Sequence, residues 1–289
     1  MKKIDLHLHV VPDDASEERF IMFAPAQKMI LHLQELGIRK GVLMSSGENV
    51  SCLKNGATND EVNAICEKYP DYYAWMCNID ESDADTIYER LASYKSKGAI
   101  GIGEFMINKR LDAPFMQTVF DAAEKLDLPI TIHMSSAEGY KYGVVDEPGL
   151  PLLEQVLINH PKLKIIGHSQ VFWIEISGDA ARNKESRYKA GEGSVVSGGR
   201  LPELFANYPN LYGDLSANSA GKAIMRDPQF GLQFLETYSD RLFFATDMLN
   251  TDMVYPLGNW LDENLVNGNL SQETYDKIFF KNAEQVFRL

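Results

Sequence analysis

Eight short apolar runs, alternating with helix-like stretches, leave this chain few architectures to choose from. The runs fall at 3–10, 40–46, 72–79, 99–106, 129–134, 164–169, 211–217 and 241–247. Their length and their β-branched or aromatic content favour strands over buried helical turns. The intervening segments carry helix ends in their sequence. Segment 26–36 stops at Gly37 and segment 84–97 at Gly98, where a glycine can adopt the left-handed closing position. Segment 59–68 opens with Thr58 and Glu61 in capping-box spacing and stops before Pro70. Segment 114–126 opens with Pro114 and precedes Pro129, and segment 151–159 precedes Pro161.

Strand–helix alternation of this kind calls for a parallel sheet. Eight such units in 289 residues fit a closed (β/α)8 barrel, the TIM barrel, better than a doubly wound sheet. No GxGxxG or GxxxxGK[ST] turn follows the first strand, which argues against a nucleotide-binding fold. No Pro/Ser-rich linker or charge block divides the chain, so residues 1–289 are expected to form one barrel domain. The longest gap between strands, 170–201, contains EGSVVSGGR and leaves the C-terminal end of the sixth strand. In a barrel that end is the active-site face, so the segment is expected to be a lid or substrate loop.

Charge and cysteine usage narrow the function classes. The 28 Lys+Arg set against 41 Asp+Glu give a net charge of −13, a poor footprint for nucleic acid or an anionic membrane. No stretch approaches the roughly 18 apolar residues of a membrane span. Asp5 and two histidines interrupt the N-terminus too early for a signal-peptide core. Cys52, Cys66 and Cys77 are odd in number and lack CxxC spacing, so buried thiols in a reducing cytoplasm are expected.

With only six histidines, their positions carry information. His7 and His9 end the first run, His133 the fifth and His168 the sixth, while Glu104 closes the fourth and Asp247 the eighth. Side chains two apart on a strand point the same way, so His7 and His9 present both imidazoles to one side, with Asp5 a layer deeper. Imidazole nitrogens with carboxylate oxygens make a ligand set for zinc, manganese or iron. His32 falls within a helical pattern and His160 at a helix C-terminus, and both are read as structural.

These segments resemble the amidohydrolase superfamily, and within it the amidohydrolase-related branch of aminocarboxymuconate-semialdehyde decarboxylase and resorcylate-type decarboxylases. The resemblance runs over essentially the whole chain: IDLHLH, GIGEF, LPITIHM, IIGHS, LYGDLSA, LFFATDM and the closing KIFFKNAEQVFRL. It implies that His7, His9, His133 and Asp247 ligate a first metal. His168 would ligate a second metal or act as a catalytic acid. Many binuclear members carry a carbamylated lysine where this chain has Glu104. A carboxylate can also bridge metals, as in TatD-type nucleases, so Glu104 either supports a second ion with His168 or acts as a base beside a single ion. The resemblance also implies that dimers are common in the branch.

The expected activity is hydrolysis of an amide, ester or lactone by a metal-activated water. Asp247 would accept and return the proton, and His168 would polarise the carbonyl. The same site could instead release carbon dioxide from a carboxylic acid, or hydrate a substrate. A TatD-like nuclease fits the acidic charge poorly, and a purely structural metal would need only about four ligands. Arg110, Arg200 and Trp173 are candidate substrate contacts, with Arg182 and Arg187 as further cations of the long loop. Asp214 and Ser216 share a side of the seventh strand, where they would hold a ligand or bond within the core.

Overall fold

In the computed structural model, residues 2–48 and 53–289 are described, and Cys52 lies outside them. The strands are β1 Lys3–Leu8, β2 Ile38–Met44, β3 Tyr73–Met76, β4 Ile102–Phe105, β5 Ile130–Ser135, β6 Val144–Val145, β7 Ile165–His168, β8 Leu211–Asp214 and β9 Leu242–Phe243. All pair in parallel, in two sheets ordered β1-β2-β3 and β4-β5-β7-β8-β9, with β6 beside β5.

Two seams join these sheets into a ring. At one, Cys77 bridges Ile102, the Cys77 amide donates to Gly101 O at 2.9 Å, and the Gly103 amide donates to Cys77 O at 2.8 Å. At the other, Leu8 bridges Met248, and the Leu6 and Asp247 amides donate to Phe244 O and His7 O at 3.1 and 2.8 Å. The eight expected strands therefore close into a (β/α)8 barrel. The eighth is regular only over Leu242–Phe243. Beyond it the chain bends, and Asp247 sits at φ +59°.

The helix ends follow the local chemistry. Ala26–Glu35 is followed by Gly37 at φ +70° and Ile87–Ser96 by Gly98 at φ +99°. Asn59–Lys68 opens with the Thr58/Glu61 capping box. Pro114 and Pro151 begin Pro114–Lys125 and Pro151–Asn159. One buried cluster joins Ile4, Val42, Met76, Ile166 and Phe243, from strands that are not all neighbours, and so packs through the barrel interior. A larger one lies between strands and helices. No helix among the described residues is long and apolar enough to cross a membrane.

The segment 170–201 is built rather than open. It holds the helix Gln170–Trp173 and 3₁₀ turns at Ile174–Ile176 and Ser186–Tyr188, and Val171, Phe172, Trp173 and Ile176 are buried. Gly167 is what lets the segment fold down, since a Cβ there would lie 2.2 Å from the Phe172 ring. Arg187 is buried too, donating to Asp146 O at 2.7 Å and lying 3.6 Å from Glu175.

Asp146 caps Pro151–Asn159 by accepting the Leu152 and Leu153 amides at 3.1 and 2.8 Å. Burial pushes its carboxyl up to about 6, against the hydrogen bonds it accepts. An unfolded aspartate ionises near pH 4, so the fold favours the protonated form. Stability from this group is full below about pH 4 and is lost as pH rises through about 6, by about 3 kcal/mol in all. Asp146→Asn removes that titration. The variant is expected to gain on the parent by about that amount between about pH 4 and 7 in urea melts. A stability difference that stays constant with pH would contradict this.

Candidate metal centre and active site

The six residues His7, His9, Glu104, His133, His168 and Asp247 converge at the C-terminal ends of the strands. Alternation along β1 brings His7 Nε2 and His9 Nε2 to 3.1 Å from each other. Asp247 Oδ1 lies 3.4 Å from each of these nitrogens. Glu104 Oε2 lies 3.5 Å from His7 Nε2 and 3.3 Å from His9 Nε2. The other oxygen, Oε1, faces the opposite way: it contacts His133 Nδ1 and lies 3.4 Å from His168 Nε2. One carboxylate thus separates two donor groups, one of His7, His9 and Asp247, the other of His133 and His168.

Groups behind the histidines fix their rings. Asp214 Oδ2 lies 2.6 Å from His7 Nδ1, which assigns the proton to Nδ1 and leaves the Nε2 lone pair facing the centre. Ser216 Oγ lies 2.9 Å from His168 Nδ1, and its amide donates to Asp214 Oδ1 at 2.8 Å. Asp5 accepts the Thr246 amide and hydroxyl at 2.9 and 2.6 Å, tying the first strand to the eighth. His9 Nδ1 is buried without a hydrogen-bond partner among the described residues.

The electrostatics describe a centre short of positive charge. Burial opposes a charge on His7, yet the Asp247 and Asp214 carboxylates lift its imidazole well above the ordinary range. Burial likewise opposes ionisation of Glu104, but His133 and His7 hold it well below the usual carboxylate range. Burial lowers His168. Buried carboxylates facing imidazole nitrogens need either protons or a cation between them. The mixed nitrogen and oxygen donors, with lone pairs pointing inward, fit a divalent metal.

A cleft of about 260 Å³ opens beside His133, His168 and Asp247. Its walls include Lys141, Tyr142 and Tyr188, which sequence reasoning missed. The Tyr142 ring packs 4.6 Å from His133. Tyr188 OH accepts the Ser136 amide at 3.1 Å and lies 2.9 Å from Ser135 Oγ. The Lys141 ammonium rests 4.2 Å from the Tyr188 ring centroid, with no carboxylate within 4.0 Å among the described residues. The available signal was the GYKYG run that begins six residues past His133, which reads as a polar turn.

The candidate substrate residues go elsewhere. Arg110 lies on the surface, 3.0 Å from Asp112 and 2.8 Å from Glu147. Arg200 pairs with Glu154 and Glu203 and donates to Gly149 O at 3.0 Å. The acidic surface supplies partners for both arginines and so holds them away from the cleft. Trp173 is fully buried and donates to Asp214 O at 3.0 Å, so it supports the centre from beneath rather than walling its cleft. Asp214 and Ser216 likewise sit behind the histidines. His32 lies on a helix 3.6 Å from Glu35, and His160 closes Pro151–Asn159 at 3.6 Å from Asp121.

The family model for Amidohydrolase matches residues 4–289. No curated protein matches the sequence. Solved structures match over the full length. A 2,6-dihydroxybenzoate decarboxylase from Rhizobium has TM-score 0.63 and 18% identity, over 100% of this chain and 99% of that one. A 5-carboxyvanillate decarboxylase from Novosphingobium aromaticivorans, complexed with manganese and 4-hydroxy-3-methoxy-5-nitrobenzoic acid, has TM-score 0.63 and 16% identity, over 99% and 96%. A probable 2-pyrone-4,6-dicarboxylic acid hydrolase from Acinetobacter baumannii, with citric acid bound, has TM-score 0.57 and 15% identity, over 100% of both chains. At these identities the structural likeness is one of fold.

The carboxylate behind a ligating histidine sets its orientation and basicity. Asp214→Ala is therefore expected to weaken zinc or manganese binding about 10–100-fold in equilibrium dialysis. Unchanged affinity would remove His7 from the ligand set.

Proposed function

This chain belongs to the amidohydrolase family of enzymes, and from that premise we propose that it is a metal-dependent hydrolase of a small organic amide, ester or lactone. The observation that carries the reading is the division of the Glu104 carboxylate, with Oε2 toward His7 and His9 and Oε1 toward His133 and His168. That division suits two ions, one that would be held by His7, His9, Asp247 and Glu104, the other by Glu104, His133 and His168. This reading groups His133 with the second ion rather than, as the resemblance implies, with the first. Zinc fits the donors, as do manganese and iron. When bound, such ions acidify a water and polarise a carbonyl oxygen.

The chain's own groups supply the rest. Asp247 is the site carboxylate open to the cleft, its side chain 23% exposed against 4% for Glu104. It takes the proton of the attacking water and returns it to the leaving group. Asp214 and Ser216 keep His7 and His168 turned to the centre. Lys141 and Tyr188 line the entrance, where they receive an anionic or hydrogen-bonding substituent of the substrate.

A second reading, decarboxylation of a carboxylic acid at the same centre, is favoured by the unpaired Lys141 ammonium at the cleft and by the two decarboxylases that share the fold. A screen of esters, lactones and amides against aromatic carboxylic acids, with both acid and carbon dioxide measured, separates the two. A nuclease is disfavoured by the net charge of −13.

Metal analysis of purified protein is expected to find about two divalent ions per chain, and about one in a folded His133→Ala variant. One ion in both proteins would reduce Glu104 to a base beside a single metal. Asp247→Asn is expected to retain the fold and lose about 10²-fold or more in kcat. Metal-stripped protein that turns over at the full rate would overturn the mechanism.

A further inference from the structure

We propose that a second cleft, which shares only Gln170 with the cleft at the metal centre, binds a small apolar monocarboxylate. It lies within and beneath the segment 170–191 and has a volume of about 180 Å³. That is below the roughly 300 Å³ at which drug-sized pockets begin, so the ligand is limited to about a single ring. The floor is apolar, with Trp173, Ile174, Ile176 and Ala223. Trp173 is fully buried beneath this floor and commits its indole N–H to Asp214 O, so it offers no polar atom to a ligand.

Two cations are among its lining residues. Lys189 and Arg226 have no carboxylate within 4.0 Å among the described residues, in a chain with 41 acidic side chains. Arg226 Nε is buried without a partner, and its Nη1 donates only to the Glu192 carbonyl, at 3.3 Å. Its neighbour Asp227 attracts it electrostatically but makes no hydrogen bond to it, the two Asp227 oxygens accepting the Phe230 and Val195 amides at 3.2 and 2.9 Å. The acid in the lining, Asp179, accepts the Ser177 hydroxyl at 2.6 Å. Gly191 leaves room for the guanidinium, since a Cβ there would lie 2.0 Å from Arg226 Nη1. The Arg226 guanidinium, with an unused N–H, matches the fork of a carboxylate, Lys189 adds a second positive charge to the lining, and a flat apolar body would cover the floor.

Equilibrium dialysis of benzoate against the full chain, stripped of metal by a chelator, tests this independently of the metal centre. Binding is expected to saturate and to change tryptophan emission. Arg226→Met should weaken it about tenfold or more and Lys189→Met by severalfold, while His133→Ala leaves it unchanged and benzamide binds at least about tenfold more weakly. Lys189 is exposed, so its substitution leaves the fold intact and keeps the test informative if Arg226→Met does not fold. No binding up to about 10 mM, binding that appears only when metal is restored, or binding indifferent to the charge variants would each overturn the proposal.

Discussion

The Glu104 carboxylate, almost fully buried among the imidazoles of His7, His9, His133 and His168, is the constraint around which the barrel mouth is organised. A buried carboxylate is tolerated only when positive charge or hydrogen-bond donors surround it. Here the donors come from strands one, five and six of the ring, so satisfying one side chain requires the barrel to be closed. The hydrogen bonds that close the seam between the first and eighth strands run through the same residues. Asp247 donates its amide to His7 O, and Asp5 holds Thr246. Closure of the fold and assembly of the site are therefore one structural event.

A further ring of groups acts one step behind. Asp214 accepts the Nδ1–H of His7, Ser216 bonds both Asp214 and His168, and Trp173 holds the Asp214 carbonyl. A histidine held from behind has a fixed tautomer and keeps its lone pair aimed at the centre. The segment after the sixth strand contributes to this support as well as to the entrance. Its helix Gln170–Trp173 carries the supporting tryptophan, and its later turn carries Tyr188.

Much of this was legible in the sequence because strand periodicity is a strong local signal. The eight apolar runs located the strands, and the two-residue repeat in HLH located the histidines. Glycine and proline at helix ends did the same for the helices. What could not be read was which way a loop side chain turns. Arg110 and Arg200 lie on the expected face, but their direction is set by Asp112, Glu147, Glu154 and Glu203, which approach from other parts of the fold. Lys141 stayed hidden for the converse reason: its significance is the lack of a partner, and that is a property of the folded surface. The short strand β6 was missed because two residues carry no periodicity.

An acidic chain makes unpaired cations informative. Many long cationic side chains on such a surface pair with carboxylates, as Arg110, Arg200 and Lys3 do. A cation that remains without one is either fully solvated or lines a concave surface that a small anion can enter. Lys141, Lys189 and Arg226 belong to the second kind, since each lines a cleft. Leaving them unpaired forgoes a modest surface attraction of about 0–1 kcal/mol each. In return it keeps positive charge available where a small anion can be partly desolvated and the interaction grows stronger. Among the cations without a carboxylate partner, these three line clefts that a small anion can enter. They lie at the entrance to the candidate metal centre and in the cleft beneath the same loop segment.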